Sequence, residues 1–284
     1  MTTLLDGKKV AAEVRARVAA DVAALRERGT VPALAVVLAT GDEAAAWYAG
    51  SIEKAAGKAG IVVRLVDLGA DADQAALGRA LAGLAADRAV HGIILQTPLP
   101  AGVDRDALVS AIPFVKDVDG VSPLSAGRLM SGLPAFAPAT AAAVMELLDA
   151  HDVPLRGARA VVAGRSMVVG KPVAQLLLAR DATVTICHSR TRDLPAVTRE
   201  ADVLVAAIGR PRFFGCEHVK PGATVVDVGT TPDEMGKISG DVDAGSVQGI
   251  AGALSPVPGG VGPVTTALLL RNTVQAAGRQ LPGA

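Results

Sequence analysis

Residues 160–172, AVVAGRSMVVGKP, hold the densest chemical signal in the chain. A short apolar run breaks at Gly164, and a segment rich in Val and Leu resumes after Gly170 and Pro172, the pattern of strand, tight turn and helix. A helix N-terminus offers unpaired N–H groups and partial positive charge, and glycine lets a pyrophosphate approach the backbone, so the stretch suits a nucleotide phosphate. Its spacing, Gly-x-x-x-x-x-Gly, departs from the Gly-x-Gly-x-x-Gly fingerprint, which leaves a plain strand-to-helix turn as the alternative. The tip of the following strand reads CHSRTR at 187–192, with no carboxylate before Asp193. An acidic residue there would bind the ribose hydroxyls of NAD. Arg190 and Arg192 with the hydroxyls of Ser189 and Thr191, joined by Arg165 from the glycine turn, suit a 2′-phosphate instead. NADP is therefore the expected dinucleotide, with a solvated basic loop as the alternative.

Two further loops carry polar groups beyond strand ends, QTPLP at 96–100 and IPFVKDVDGVSP at 112–123. Ligands of open parallel sheets gather outside the carboxyl ends of strands, which makes Gln96, Lys116, Asp117 and Asp119 candidates. Asp119–Gly120 is also a common turn pair, and spacing alone leaves both readings open. The run PVPGGVGP at 256–263 combines a stiff path with glycines where something comes close, and reads as a ligand edge rather than a linker.

The elements that must position these groups follow from periodicity. Val10, Val14, Val18, Val22 and Leu25 recur at helical spacing and are closed by Gly29. Strand-like runs at 33–39, 61–68 and 91–95 alternate with helical stretches at 43–58 and 73–86, the latter capped by Asp73, and a short helix follows at 104–111. The pattern restarts near residue 138 with a helix at 140–148, the glycine turn, a helix at 172–180, and strands at 183–187, 203–208 and 224–228. Alternation of strands apolar on both faces with helices predicts an α/β protein with mostly parallel sheets. A length of 284 residues allows two domains.

Half the residues are hydrophobic but only 2% are aromatic, so the core must be Ala, Val and Leu. Lys and Arg total 28, as do Asp and Glu, which removes any electrostatic case for nucleic acid or an anionic membrane. No charged-then-apolar leader and no apolar run of ~18 residues is found, so a cytoplasmic protein is expected. Cys187 and Cys216 read as free buried thiols, and the histidines lack ligand spacing, so no metal is expected.

Taken together, GIILQTPLP, KDVDG, GRSMVVGKP, VTICHSRT, VKPGATVVDVG, GDVD and PVPGGVGP resemble the bifunctional methylenetetrahydrofolate dehydrogenase/methenyltetrahydrofolate cyclohydrolase family over nearly the whole chain. The resemblance implies an N-terminal α/β catalytic domain (1–138) and a Rossmann-like NADP-binding domain (139–264). It also implies a C-terminal helix (265–284) returning to the first domain, a homodimer, and a tetrahydrofolate derivative held in the interdomain cleft. It matches Tyr48 to the tyrosine that packs along the folate, Gln96 to the glutamine beside the reacting carbons, and Asp119 to the acid that binds the pterin. Pro256, Pro258, Gly259 and Gly260 match the loop that closes over substrate, and Gly164, Arg165, Ser166, Gly170, Ser189 and Thr230 fall at the NADP contacts.

One departure bears on chemistry. The family's Tyr-x-x-x-Lys motif supplies a lysine for hydrolysis, and here the fourth residue after Tyr48 is Ile52. Loss of a general acid/base group costs roughly 10²–10⁴-fold in rate. Lys54 should point away from Tyr48, since two residues turn a helix by ~200°; Ser51 and Lys116 are the other candidates to stand in. Hydride transfer needs positioning rather than proton transfer, so the dehydrogenase is expected to survive and the cyclohydrolase to be weakened or lost. The alternatives are a fully bifunctional enzyme and a non-catalytic folate- or NADP-binding relative.

Overall fold

The computed structural model describes residues 1–232 and 237–281. In chain order the first elements are β1 (Thr3–Leu4), α1 (Gly7–Glu27), β2 (Ala33–Leu38), α2 (Glu43–Ala59), β3 (Val62–Asp67), α3 (Gln74–Ala86), β4 (Gly92–Leu95), α4 (Arg105–Ser110) and α5 (Pro123–Met130). There follow α6 (Ala139–Ala150), β5 (Arg159–Ala163), α7 (Gly170–Leu178), β6 (Thr183–Cys187), α8 (Leu194–Thr198), β7 (Val203–Ala206) and β8 (Thr224–Asp227). The chain then forms β9 (Thr231–Pro232), β10 (Ile238–Ser239), α9 (Ala244–Val247), β11 (Ala253–Leu254) and α10 (Val261–Arg279).

The chain divides into two compact units, Met1–Ala12 with Thr140–Thr265 and Glu13–Ala139 with Thr266–Ala284. Residues 1–12 group with the second half of the sequence because β1 pairs in parallel with β11, Thr3 opposite Ala253 and Leu4 opposite Leu254.

The unit built on 13–139 holds a parallel sheet ordered β3-β2-β4. Its central strand, ALAVVL, is buried at every position, as a strand covered on both faces must be. Ala35, Val37, Leu77, Leu81, Ile93 and Leu95 form its core. Asp42 caps α2 by accepting from the N–H groups of Ala44 and Ala45, and Gly60 ends it at φ 81°. The buried stripe of α2 is Ala45, Ala49, Ile52 and Ala56. The edge strand β3 departs from the expected two-sided burial: Val62 and Leu65 are exposed, because β3 has a neighbour on one side only.

The other unit holds a sheet ordered β1-β11-β8-β7-β5-β6, parallel throughout. Val161, Ala163, Leu204, Ala206, Val225 and Phe214 lie in its core. Cys187 is buried there, whereas Cys216 is exposed, which corrects the expectation of two buried thiols; both are free. β6, like β3, is an edge strand with exposed residues. Among the described residues no helix is long and apolar enough to cross a membrane, and no group of His, Cys, Asp or Glu is arranged to hold a metal ion.

Candidate active site

In the unit of 13–139, three elements present the expected groups. Tyr48 lies on α2, partly exposed, beside the buried stripe that includes Ile52. Burial raises the pKa of its phenol, the Asp119 charge raises it further, and a hydrogen bond with the Thr266 side chain on α10 opposes the shift. Tyr48, Asp119 and Thr266 are thus brought together, with the phenol neutral. Burial, reinforced by Asp117, pushes the Asp119 carboxyl up to about 7 against the opposing effects of the Ala139 N–H and Arg105. Gln96 follows β4; its N–H donates to Val37 O at 2.9 Å and its side-chain amide to Thr97 O at 3.3 Å.

The KDVDG segment has a tightly determined path. Asp117 is buried and accepts from the N–H of Val121 (3.2 Å), the N–H of Ser122 (3.0 Å) and the hydroxyl of Ser125 (2.6 Å). Asn272 of α10 donates to Val118 O at 2.9 Å. Gly120 sits at φ 63°, where an added Cβ would lie 2.2 Å from Phe136 O, so glycine is required. Asp117 therefore serves the turn, and Asp119 is the carboxylate left near Tyr48.

The proposed substitutes for lysine at position 52 are otherwise engaged. Lys116 is buried, and its ammonium donates to Leu84 O (3.3 Å), Ala85 O (2.8 Å) and Asp87 O (2.7 Å) at the end of α3. It is a helix C-terminal cap. The Ser51 hydroxyl donates to Tyr48 O at 2.7 Å, and Lys54 is exposed.

In the other unit, β5 lies between β6 and β7, a reversal of strand order that opens a crevice outside their carboxyl ends. Gly164 has φ 135°, and a Cβ there would lie 2.2 Å from Ala207 O; a Cβ on Gly170 would lie 2.1 Å from Gly164 O. Both glycines are demanded by close backbone approach. The Ser166 hydroxyl accepts from the N–H groups of Val169 (3.1 Å) and Gly170 (3.4 Å) at the start of α7. At the β6 tip, Thr191 Oγ1 accepts from His188 N–H and His188 Nδ1 from Arg190 N–H, which shapes the turn carrying Ser189. Arg165, Arg190 and Arg192 are exposed and make no ion pair among the described residues. Such a set fits a dinucleotide: backbone room beside a helix start, and cations free to meet phosphate charge. Thr230 is exposed just beyond β8.

The Pro/Gly run is also tightly built. Gly259 has φ 114°, and a Cβ on Gly7 would lie 1.7 Å from Gly260 O, so the start of α1 packs directly on this loop. Pro256 is partly exposed and Pro258 exposed, while Gly259 and Gly260 are buried.

Sequence reasoning overlooked Thr266, Gly7 and the carboxylates Asp227 and Asp241. A carboxylate closing the apolar strand TVVD was the available signal, because a buried Asp must be bonded.

Comparisons with known proteins agree over both units. Residues 5–119 match the tetrahydrofolate dehydrogenase/cyclohydrolase catalytic domain, and residues 138–281 the NAD(P)-binding domain of the same family. The chain is 57% identical over 281 residues to bifunctional protein FolD 1 of Saccharopolyspora erythraea, covering 99% of this chain and 96% of that protein. The structure of the bifunctional FolD enzyme from Campylobacter jejuni superposes with a TM-score of 0.97 at 40% identity, covering 99% and 100% of the two chains. That of the Trypanosoma brucei enzyme, complexed with NADP cofactor and inhibitor, gives 0.93 at 38% identity over 98% of each.

Proposed function

The chain belongs to the tetrahydrofolate dehydrogenase/cyclohydrolase family, and from that membership we propose that it oxidises methylenetetrahydrofolate with NADP and hydrolyses the methenyl product, the second step slowed by Ile52. The observation that carries the reading is the cluster of Tyr48, Asp119 and Thr266, a neutral phenol beside a carboxyl poised near neutrality.

Tyr48 is read as a wall for the folate ring, Asp119 as the acceptor for pterin N–H groups, and Gln96 as the amide that orients the reacting carbons. When bound, NADP supplies the hydride acceptor. Gly164, Arg165, Ser166, Gly170, Ser189 and Thr230 are the residues assigned to hold it, and the chain's task in that step is to fix orientation. Pro256, Pro258, Gly259 and Gly260 are assigned to close over the substrate.

Hydrolysis requires a proton carrier. Position 52 cannot supply one, and Lys116 is spent on α3. The bifunctional relatives favour retention of the activity. A dehydrogenase without hydrolysis is the second reading, carried by Ile52 alone.

The test is direct. Purified protein with methylenetetrahydrofolate and NADP raises the methenyl absorbance; no rise with NADP or NAD ends the dehydrogenase reading. Methenyl decay faster than in buffer supports both activities, and decay equal to buffer selects the dehydrogenase alone.

For assembly we propose a homodimer through the β3 edge, on the strength of its exposed Val62 and Leu65. The setting proposed is cytoplasmic, consistent with two free thiols.

A further inference from the structure

We propose that Asp241 is a positioning residue for the dinucleotide: its carboxylate fixes the segment after β7 that forms one wall of the crevice, and Asp227 in turn fixes Asp241. The inference rests on the reading of this unit as the dinucleotide-binding one.

The crevice outside β5 and β7 has two walls. One is the glycine turn of 164–170. The other is the segment 207–210, which leaves the sheet as β7 ends at Ala206. The Ala207 N–H still donates to Ala163 O at 2.8 Å, but past it no strand ladder holds the peptides of 208–210, and their three successive N–H groups converge on one side chain. Ile208 N–H and Gly209 N–H donate to Asp241 Oδ2 at 2.6 and 3.0 Å, and Arg210 N–H donates to Oδ1 at 2.8 Å. Asp241 is fully buried, so these charge-assisted bonds have no competing water.

Asp241 is anchored from behind. Its N–H donates to Asp227 Oδ1 at 2.9 Å, and its C=O accepts from Phe214 N–H at 2.9 Å. Asp227, the last residue of β8, also accepts from Val242 N–H (2.9 Å) and Gly229 N–H (2.9 Å), and its own N–H donates to Ser255 Oγ at 2.8 Å. One carboxylate pair thus ties the exits of β7 and β8 to the residue that opens the Pro256–Gly260 run. Two glycines make room for it. A Cβ on Gly229 would lie 2.5 Å from Asp241 Oδ1, and one on Gly240 would lie 1.9 Å from Asp227 Oδ2.

The arrangement is costly as pure scaffolding. Burial and the neighbouring Asp241 push Asp227 up to about 6, so holding Asp227 ionised at neutral pH works against the fold. An apolar pair in their place would leave the N–H groups of residues 208–210, Gly229 and Val242 without acceptors. What carboxylates add is the capacity to accept several converging N–H donors, and the donors gathered here are those of the crevice wall.

Asp241→Asn tests this. Asparagine keeps the volume but has a single acceptor oxygen, and its NH2 group faces N–H donors. Three measurements are made on wild type and variant: calorimetric titration with NADP and with NAD, steady-state kinetics, and amide exchange along 203–210. The expected result is a dissociation constant and KM for NADP raised at least about 10-fold, with kcat at saturating NADP within about 3-fold. The 208–210 amides are protected in unliganded wild type and lose protection in the variant, while those of β7 keep theirs. A folded variant with wild-type affinity for NADP overturns the inference. So do wild-type 208–210 amides that exchange as fast as an exposed loop, a result that decides the matter even if the variant fails to fold. Wild type that binds neither dinucleotide overturns the dinucleotide reading, and this inference with it, an outcome distinct from a match between variant and wild type.

Discussion

Tyr48 and Ile52 stand one turn apart on α2, and Ile52 is wholly sealed from solvent while Tyr48 keeps partial access. The position from which a cation would reach the phenol is therefore filled by an apolar branch. Restoring a lysine there should restore its chemistry. Ile52→Lys is expected to accelerate methenyl hydrolysis by roughly 10²-fold or more, with dehydrogenase kcat/KM changed far less. Placing an amine in this buried site should cost about 2–4 kcal/mol of stability. The decay of methenyl absorbance checks the first effect and urea unfolding the second; no acceleration in a folded variant would remove position 52 from the account of hydrolysis.

The raised carboxyl of Asp119 makes stability depend on pH in a definite sense. An ordinary carboxylate titrates near about 4, and in the fold Asp119 titrates at about 7. Between those values the native state holds a proton that the unfolded chain has lost, so stability falls as pH rises, by up to about 1.4 kcal/mol per unit. Above about 7 the loss is complete. Asp227, raised to about 6, adds a slope of the same sign below that pH. Asp119→Asn should flatten the dependence between about pH 6 and about pH 7 and exceed wild type at about pH 8, as read by urea midpoints. The same variant should raise KM for the folate, because the pterin loses its carboxylate acceptor, as read by steady-state kinetics.

The three exposed arginines make cofactor preference separable from fold. Arg165→Ala combined with Arg190→Ala should weaken NADP binding by about 10–100-fold and leave NAD binding within a few-fold, because only the 2′-phosphate loses partners. Calorimetry with both dinucleotides measures the ratio; equal weakening of both would place these residues elsewhere than at the 2′-phosphate.

Lys116 should matter for stability rather than catalysis. Lys116→Met strands the carbonyls of Leu84, Ala85 and Asp87 at the end of α3, at a cost of about 1–3 kcal/mol. Turnover per folded molecule should stay near wild type. A selective loss of hydrolysis with unchanged stability would give the lysine a catalytic role after all.

The proposed dimer can be tested at the same level. Leu65→Lys places a charge on the exposed edge strand and should yield a monomer by light scattering, with wild-type secondary structure. A variant of unchanged mass would move the interface elsewhere.

How legible the molecule was from its sequence depended on what each residue had to satisfy. The Val10–Leu25 periodicity marked α1 because burial follows the helical repeat, and Asp73 was readable as the cap of α3 because its carboxylate meets the Ala76 N–H. The glycine turn was legible because close approach excludes every other side chain at Gly164 and Gly170. The bonds of Lys116 were not, since nothing local reveals that a loop lysine reaches carbonyls about 30 residues back in the chain. The same holds for Thr266 against Tyr48 and for Asp241 against Ile208, which are joined by the fold rather than by spacing. β1, α5 and β11 escaped notice because a two-residue strand or a Pro-started helix has too few positions to show a period.

The one tryptophan of the chain, Trp47, is 76% exposed on α2. Its indole already faces water in the folded protein, so its emission should hardly shift when the chain is denatured, and circular dichroism is the appropriate probe for every unfolding experiment above. The insensitivity has a use. Any blue shift of that emission in the native protein reports something covering this face of α2, which makes Trp47 an unlabelled sensor of association and a poor one of folding.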